Sequence, residues 1–159
     1  MESDQRDLKL MIGKAQDFHG HLGPFLVMGV RMALAAMEYF GESSGLKVSV
    51  KVPLSPPFSC VIDGIQASTK CTVGNRKLSF KNSRNISGLF TAHDAPKALN
   101  VRVLPAAIDD LTEKLSNGVS VEKLAWDTAC LPIDRLLVVE KRNRQGWKVM
   151  SSFSWKFYA

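Results

Sequence analysis

Only three histidines occur in this 159-residue chain, and two of them form His19-Gly20-His21. Residues i and i+2 of an extended segment point the same way. Two imidazoles beside a flexing glycine can therefore converge on one metal ion. The competing use of the pair is structural: capping the helix that follows, or hydrogen-bonding within the core. A second constellation favours the metal. It reads Pro56-Pro57-Phe58-Ser59-Cys60-Val61-Ile62-Asp63-Gly64-Ile65-Gln66. Cys60 stands at the start of an expected helix, where the macrodipole and free N–H groups favour a thiolate. A thiolate either binds metal or attacks an electrophile. Asp63 follows one turn later on the same face. It is the candidate catalytic residue, able to orient a ligand or shuttle a proton. Two histidines and a cysteine suit zinc or a similar divalent transition metal, with a fourth position open to water or substrate.

Cys71 is a further candidate ligand of lower rank. On a continuous helix it would stand roughly 16 Å from Cys60, at 1.5 Å per residue. It reaches the site only if the helix ends early or folds back. Cys130 lies beside Leu131-Pro132 and reads as an ordinary core cysteine. The turn Cys71-Thr72-Val73-Gly74-Asn75 offers backbone N–H groups to an anion, but its glycines are too few and wrongly spaced for a phosphate loop. No Gly-x-Ser-x-Gly, His-Glu-x-x-His or dinucleotide fingerprint occurs, which leaves hydride and phosphoryl transfer on those scaffolds without support.

The elements that must position these residues follow from periodicity. A first helix is expected over about Asp4 to Gln16, with Leu8, Met11, Ile12 and Ala15 on one stripe. Phe18 to Pro24 reads as a loop, and Pro24 opens a long helix that runs to Phe40 and stops at Gly41. This helix is apolar nearly all round, so it must be buried on most sides. A second subunit could supply part of that cover, and a homodimer is expected. Leu46 to Leu54 alternates as a half-buried antiparallel strand. After the Pro56-Pro57 break comes a helix over Cys60 to Lys70. Strands are expected at Lys77 to Lys81, Ser87 to Thr91 and Asn100 to Leu104, then a helix from Pro105 ending at Asn117-Gly118. Another helix follows Ser120, a suitable N-cap. The last strands are expected at Arg135 to Glu140 and Trp147 to Phe157. Helices and strands do not alternate strictly. The expected class is therefore α+β, a mainly antiparallel sheet packed with a long buried helix and several shorter ones.

Composition sets the wider bounds. With 45% hydrophobic and 23% charged residues, the chain has the profile of a globular protein rather than a disordered or collagen-like one. Three cysteines are too few, and odd in number, for a secreted disulfide framework. MESDQRDLKL contains no apolar leader core. The longest apolar stretch, Phe25 to Phe40, is interrupted by Gly29, Arg31 and Glu38. A membrane helix needs about 20 mostly apolar residues, so no membrane association and a cytoplasmic location are expected. The net charge of +6 is compatible with acidic partners. The basic residues are scattered, however, and the densest run, Lys141, Arg142, Arg144 and then Lys148, reads as a solvated turn between strands. Nucleic-acid binding is accordingly the last of the readings.

Phe18-His19-Gly20-His21-Leu22-Gly23-Pro24 with Gly29-Val30-Arg31-Met32, followed by Cys60 to Gln66 and by Cys71-Thr72-Val73-Gly74-Asn75, resembles the E-subunit family of formylmethanofuran dehydrogenase in order and spacing. The resemblance covers about residues 5–140. It implies an α+β core that forms dimers and binds a metal near the His-x-His and Cys positions. It also implies association with the molybdenum or tungsten enzyme of methanogenesis. The leading reading is a cytoplasmic metal-binding domain, with a metal-dependent enzyme of unknown substrate as one form of it. Two further readings compete with it: an accessory or assembly subunit of that larger redox enzyme, and thiol chemistry at Cys60 with a neighbouring histidine as base. The chain departs from the family pattern in three places. Many members carry a cysteine where Gly23 stands. The usual Gly-Lys-Gly-Asn turn is here Gly74-Asn75-Arg76-Lys77. No paired Cys-x-x-Cys motifs follow the core, so residues 1–159 are expected to be a single core domain without the C-terminal zinc ribbon of many relatives.

Overall fold

The computed structural model describes residues 2–41, 45–93, 95–143 and 145–150. The elements run α1 (Glu2–His19), α2 (Pro24–Phe40), β1 (Leu46–Val52), α3 (Cys60–Thr69), β2 (Leu78–Asn82), β3 (Ser87–Ala92) and β4 (Ala95–Val103). They continue with α4 (Pro105–Ser116), α5 (Val121–Cys130), α6 (Ile133–Leu136), β5 (Leu137–Asn143) and β6 (Gly146–Val149). The fold is α+β. One six-stranded sheet has the order β2-β1-β3-β4-β5-β6, and β1 with β2 is its parallel pair. The remaining pairs are antiparallel. The antiparallel pairing expected of β1 is made with β3, while its other neighbour, β2, runs parallel to it. Among the described residues no helix is long and apolar enough to cross a membrane.

The long helix α2 has the bounds its sequence signals require. Pro24 sits in its first turn, and Gly41 caps its end with a φ of 87°, a conformation that costs a glycine little. Every residue from Pro24 to Ala36 is buried. One face, with Phe25, Met28, Met32, Ala35 and Ala36, packs on the sheet residues Val48, Val50, Phe90, Leu99 and Val101. The opposite face, with Leu26, Val27, Val30 and Leu34, meets Leu8, Ile12 and Ala15 of α1 and Ala125 and Ala129 of α5. The chain itself therefore covers α2, and the need for cover is not a ground for a second subunit. Burying each large apolar side chain contributes about 1.5–3 kcal/mol, which makes α2 the element around which the other layers assemble.

Arg31 lies fully inside this assembly. Its guanidinium donates to the carbonyl oxygens of Thr128 and Leu131, at the C-terminal end of α5, where the helix dipole is negative. A buried cation is thus matched to the end of a helix, and α2 is tied to α5.

The crossing of α2 and α3 has a different basis. A Cβ built on Gly29 would lie 2.2 Å from the carbonyl oxygen of Val61, and one on Gly64 would lie 2.2 Å from that of Leu26. No larger residue fits at either position. The two helices touch backbone to backbone, and Phe58 packs edge-on against Phe25 with ring centroids 5.1 Å apart. Together these contacts hold the start of α3 over the start of α2.

Several expected boundaries move. α1 continues to His19 and ends at Gly20, whose φ of 98° turns the chain out of the helix. Phe18 and His19 are therefore helical, not part of the loop. β1 ends at Val52 rather than Leu54. Arg135 belongs to the short α6, so β5 starts only at Leu137. β6 covers Gly146–Val149, and the part of the expected last strand beyond Met150 lies outside the described residues. Arg142 and Lys148 are exposed on the β5–β6 hairpin, as a solvated turn requires. Cys130 is exposed, not in the core, because the buried stripe of α5 runs through Leu124, Ala125, Thr128 and Ala129.

Candidate metal centre

Three elements deliver the donors. His19 is the last residue of α1, His21 lies in the connection to α2, and Cys60 is the first residue of α3. One ligand atom from each of His19, His21 and Cys60 lies within 4.8 Å of the other two. The two imidazoles are side by side, with ring centroids 4.4 Å apart and planes inclined by 43°. His19 and Cys60 are half-buried and His21 is exposed. The connection is short and pinned by the bond from the Val27 amide to the Gly23 carbonyl, while Gly20 N–H closes α1 on the Gln16 carbonyl.

Asp63, one turn into α3, accepts a hydrogen bond from Nδ1 of His19 on its Oδ2 at 2.6 Å. Its other oxygen accepts from Nε2 of Gln66 at 3.2 Å. The carboxylate thus occupies one ring nitrogen of His19. The other, Nε2, is buried and has no hydrogen-bond partner among the described residues. A buried, unsatisfied imidazole nitrogen costs free energy unless something accepts its lone pair, and a metal ion does so. Imidazole held by a carboxylate on one nitrogen and a metal on the other is a recurrent arrangement. The donor set and the orphaned nitrogen both fit a divalent transition metal.

Cys60 does not have the thiolate-favouring surroundings expected of a helix start. Its thiol is pushed up from the ordinary value, by burial first and by the negative charge of Asp63 second, against a smaller opposing effect of its own backbone amide. The residues before it explain the difference. Ser59 is already in a helical conformation, and the amides of Cys60, Val61 and Ile62 donate back to the carbonyls of Pro57, Phe58 and Ser59. The positive end of the helix is spent on its own preceding turn.

Cys71 is not part of the group. α3 does end early, at Thr69, with Lys70 in the left-handed region at φ 59°. That turn carries Cys71 toward β1, where its buried Sγ donates to the carbonyl of Leu46 at 3.1 Å. Position 23 is adjacent to the group. A Cβ there would lie 3.8 Å from Nε2 of His21 and 3.4 Å from a methyl of Val121. Gly23 thus leaves room for a side chain beside the donors and supplies none.

The family described as "FmdE, Molybdenum formylmethanofuran dehydrogenase operon" matches residues 18–152. The chain belongs to the FmdE family. Its fold is similar to that of a crystallised tungsten formylmethanofuran dehydrogenase FmdE-like protein from Syntrophus aciditrophicus. The TM-score is 0.63 at 16% identity, over 86% of this chain and 72% of that one. A probable S-adenosyl-L-methionine-binding protein of Archaeoglobus fulgidus is 37% identical over 79 residues, which are 48% of this chain. The chain spans about a fifth of that relative's length, 22%. The FmdE match begins at Phe18, immediately before the first histidine, and includes every donor of the group.

Gln66 is the site residue to which the sequence pattern assigns no role. A signal for it exists: it stands three residues after Asp63 on the same helix, a spacing at which side chains meet.

Proposed function

We propose that this FmdE domain binds a divalent transition metal, zinc or a similar ion, through His19, His21 and Cys60. The observation that carries the reading is that one donor atom from each of these residues lies within 4.8 Å of the others, and that His19 Nε2 is buried with no hydrogen-bond partner among the described residues. Asp63 accepts a hydrogen bond from Nδ1 of His19, which fixes the ring and leaves Nε2 as the nitrogen with a lone pair to give. Three protein ligands leave a coordination position open, and the missing side chain at Gly23 keeps space beside it. When bound there, such an ion would polarise a carbonyl or lower the pKa of a water molecule. Asp63 is the group proposed to exchange a proton, by way of the His19 ring to which it is bonded, in the version of the proposal that makes the domain a metal-dependent enzyme. Metal analysis of the purified chain, before and after His19→Ala and Cys60→Ser, tests the site. About one equivalent in the wild type and a loss in both variants are expected. Unchanged metal content in both variants ends the reading.

A second reading is favoured by the family match: an accessory or assembly subunit of a molybdenum or tungsten redox enzyme in the cytoplasm, acting as a homodimer within the larger complex. The description of the matching family and the name of the structural relative support it. Co-purification with a molybdenum- or tungsten-containing partner is the expected result. A chain that purifies alone and captures no such partner counts against it. The raised thiol of Cys60 weighs against a free nucleophilic cysteine and leaves the thiol reading behind these two.

A further inference from the structure

The turn between α3 and β2 has no part in metal binding itself. Most of its backbone amides are already engaged within the chain. Thr72 N–H and Lys77 N–H donate to Oδ1 of Asn75, and Asn75 N–H donates to Oγ1 of Thr72. Arg76 N–H donates to the Val73 carbonyl, and Leu78 N–H to that of Thr72. Asn75 Nδ2 closes the turn on the Lys70 carbonyl at 2.7 Å, and the Lys77 carbonyl accepts from Val48 of β1 at 2.9 Å. The turn is thus a rigid unit stitched to the sheet. One of its amides points elsewhere: Val73 N–H donates to Oε1 of Gln66 at 3.2 Å.

That single bond determines the chain of donors leading to the histidine. A backbone N–H can only donate, so the Gln66 atom facing it must be the oxygen. The Gln66 amide NH₂ then faces Asp63 and donates to its Oδ1. Asp63 is left with Oδ2 for Nδ1–H of His19. The His19 proton is placed on Nδ1, and the bare nitrogen is the buried Nε2. The carboxylate of Asp63 can only accept, so the bond from the turn through Gln66 fixes where that carboxylate stands, and the carboxylate in turn holds the proton of His19 on Nδ1.

We propose that Gln66 is a positioning residue of the metal centre: it anchors Asp63, and through it the tautomer of His19, to the backbone of the α3–β2 turn. The proposal deepens the metal reading and rests on it for its functional meaning, but its structural content can be measured without an ion. Gln66→Met keeps the length of the side chain and removes both hydrogen bonds. Gln66→Glu still accepts from Val73 N–H but, as a carboxylate, cannot donate to Asp63.

The experiment uses the whole metal-free chain labelled with ¹⁵N-histidine, at a pH where the imidazoles are neutral. In the wild type, His19 is expected as the Nδ1–H form. Both variants are expected to shift its nitrogens toward a mixture of tautomers. Hydrogen exchange at Val73 should accelerate in Gln66→Met and stay slow in Gln66→Glu. Zinc affinity by chelator competition should fall about tenfold in Gln66→Met, the lower end for a group that orients a metal ligand. Unchanged His19 nitrogens in both variants, with Val73 exchange accelerated in Gln66→Met, would overturn the proposal. Gln66→Glu carries the test if Gln66→Met does not fold. A wild type that takes up no zinc overturns the metal reading alone, since the nitrogen spectrum still decides the role of Gln66.

Discussion

Gly64→Ala adds one methyl group at the tightest point of the α2–α3 crossing. Its Cβ would stand 2.2 Å from the Leu26 carbonyl oxygen, 2.9 Å from the Val30 nitrogen and 3.0 Å from the Gly29 Cα. All three are backbone atoms, so no side chain can swing aside. An ordinary contact begins near 3.4 Å, which requires α3 to withdraw by about 3.4 − 2.2 = 1.2 Å at this point. Overpacking of this kind costs about 1–3 kcal/mol, and the better helix propensity of alanine returns up to about 1 kcal/mol. The net loss is about 0–3 kcal/mol, which for a chain of this size lowers Tm by no more than about 12 °C. The site is expected to suffer more than the fold. Cys60 and Asp63 ride on the displaced helix, while His19 and His21 do not. A shift of about an ångström stretches the 2.6 Å bond between His19 and Asp63 beyond hydrogen-bond range. Zinc affinity should then fall about tenfold or more. Gly13→Ala is the matched control, since Gly13 also lies within a helix but has nothing within 4 Å of its Cβ. It should leave zinc binding unchanged and Tm equal or slightly higher. Thermal unfolding and chelator competition on the two variants decide the matter. Equal stability and equal zinc affinity in Gly64→Ala and Gly13→Ala would refute the claim that a backbone contact sets the site.

Cys60 in the metal-free protein should react with iodoacetamide more slowly than a free thiol near neutral pH, because burial and Asp63 raise it. The sign for stability follows: the folded chain holds this proton more tightly than the unfolded one, so the contribution is full below the ordinary thiol value and is lost as pH rises through the raised one. A reaction rate that titrates at or below a free thiol contradicts this account. Gly23→Cys should place a sulfur in the space beside His21, raise zinc affinity about tenfold or more, and give the cobalt(II) protein the absorption of a site with two thiolates. Unaltered affinity and spectrum would show that position 23 does not face the ion.

Much of this architecture is legible in the sequence where a local signal decides it. Pro24 and Gly41 bracket α2 without error, and Ser120 caps α5 by accepting from the Lys123 amide. The donors are legible for a partly mistaken reason. The His-x-His spacing suggests alternate residues of an extended loop, yet His19 ends a helix and the positive φ of Gly20 brings the two rings together. A glycine marks a break in the chain but does not say on which side of a residue the helix stops. Pairings set far away in sequence are not legible. The parallel edge between β1 and β2 depends on where the α3 turn delivers the chain, and nothing in the alternation of Leu46 to Val52 distinguishes a parallel neighbour from an antiparallel one. The lost thiolate at Cys60 has the same origin. Helix-start electrostatics assume free amides, and the turn at Pro57 to Ser59 consumes them.

The contacts that hold the donors are all made by groups of the protein itself, and this has a measurable consequence. His19 is held by Asp63, the His21 connection by the Val27 amide, and α3 by the glycine crossing and Phe58. Each belongs to an element already buried in the main core through α2. Small zinc domains behave differently, because their cores do not form until the metal binds. Here the ion should add stability only by mass action, RT ln(1 + [L]/Kd), or about 2.7 kcal/mol at a free concentration about one hundred times Kd. Removing it by chelation should therefore lower Tm by no more than about 5–11 °C at that concentration, leave the far-ultraviolet circular dichroism unchanged, and be reversed by adding metal back. Calorimetry with and without chelator, at two free zinc concentrations, measures both the size and the concentration dependence. Collapse of the helical signal on chelation would mean that the ion builds the site rather than occupying one that the helix crossing has already formed.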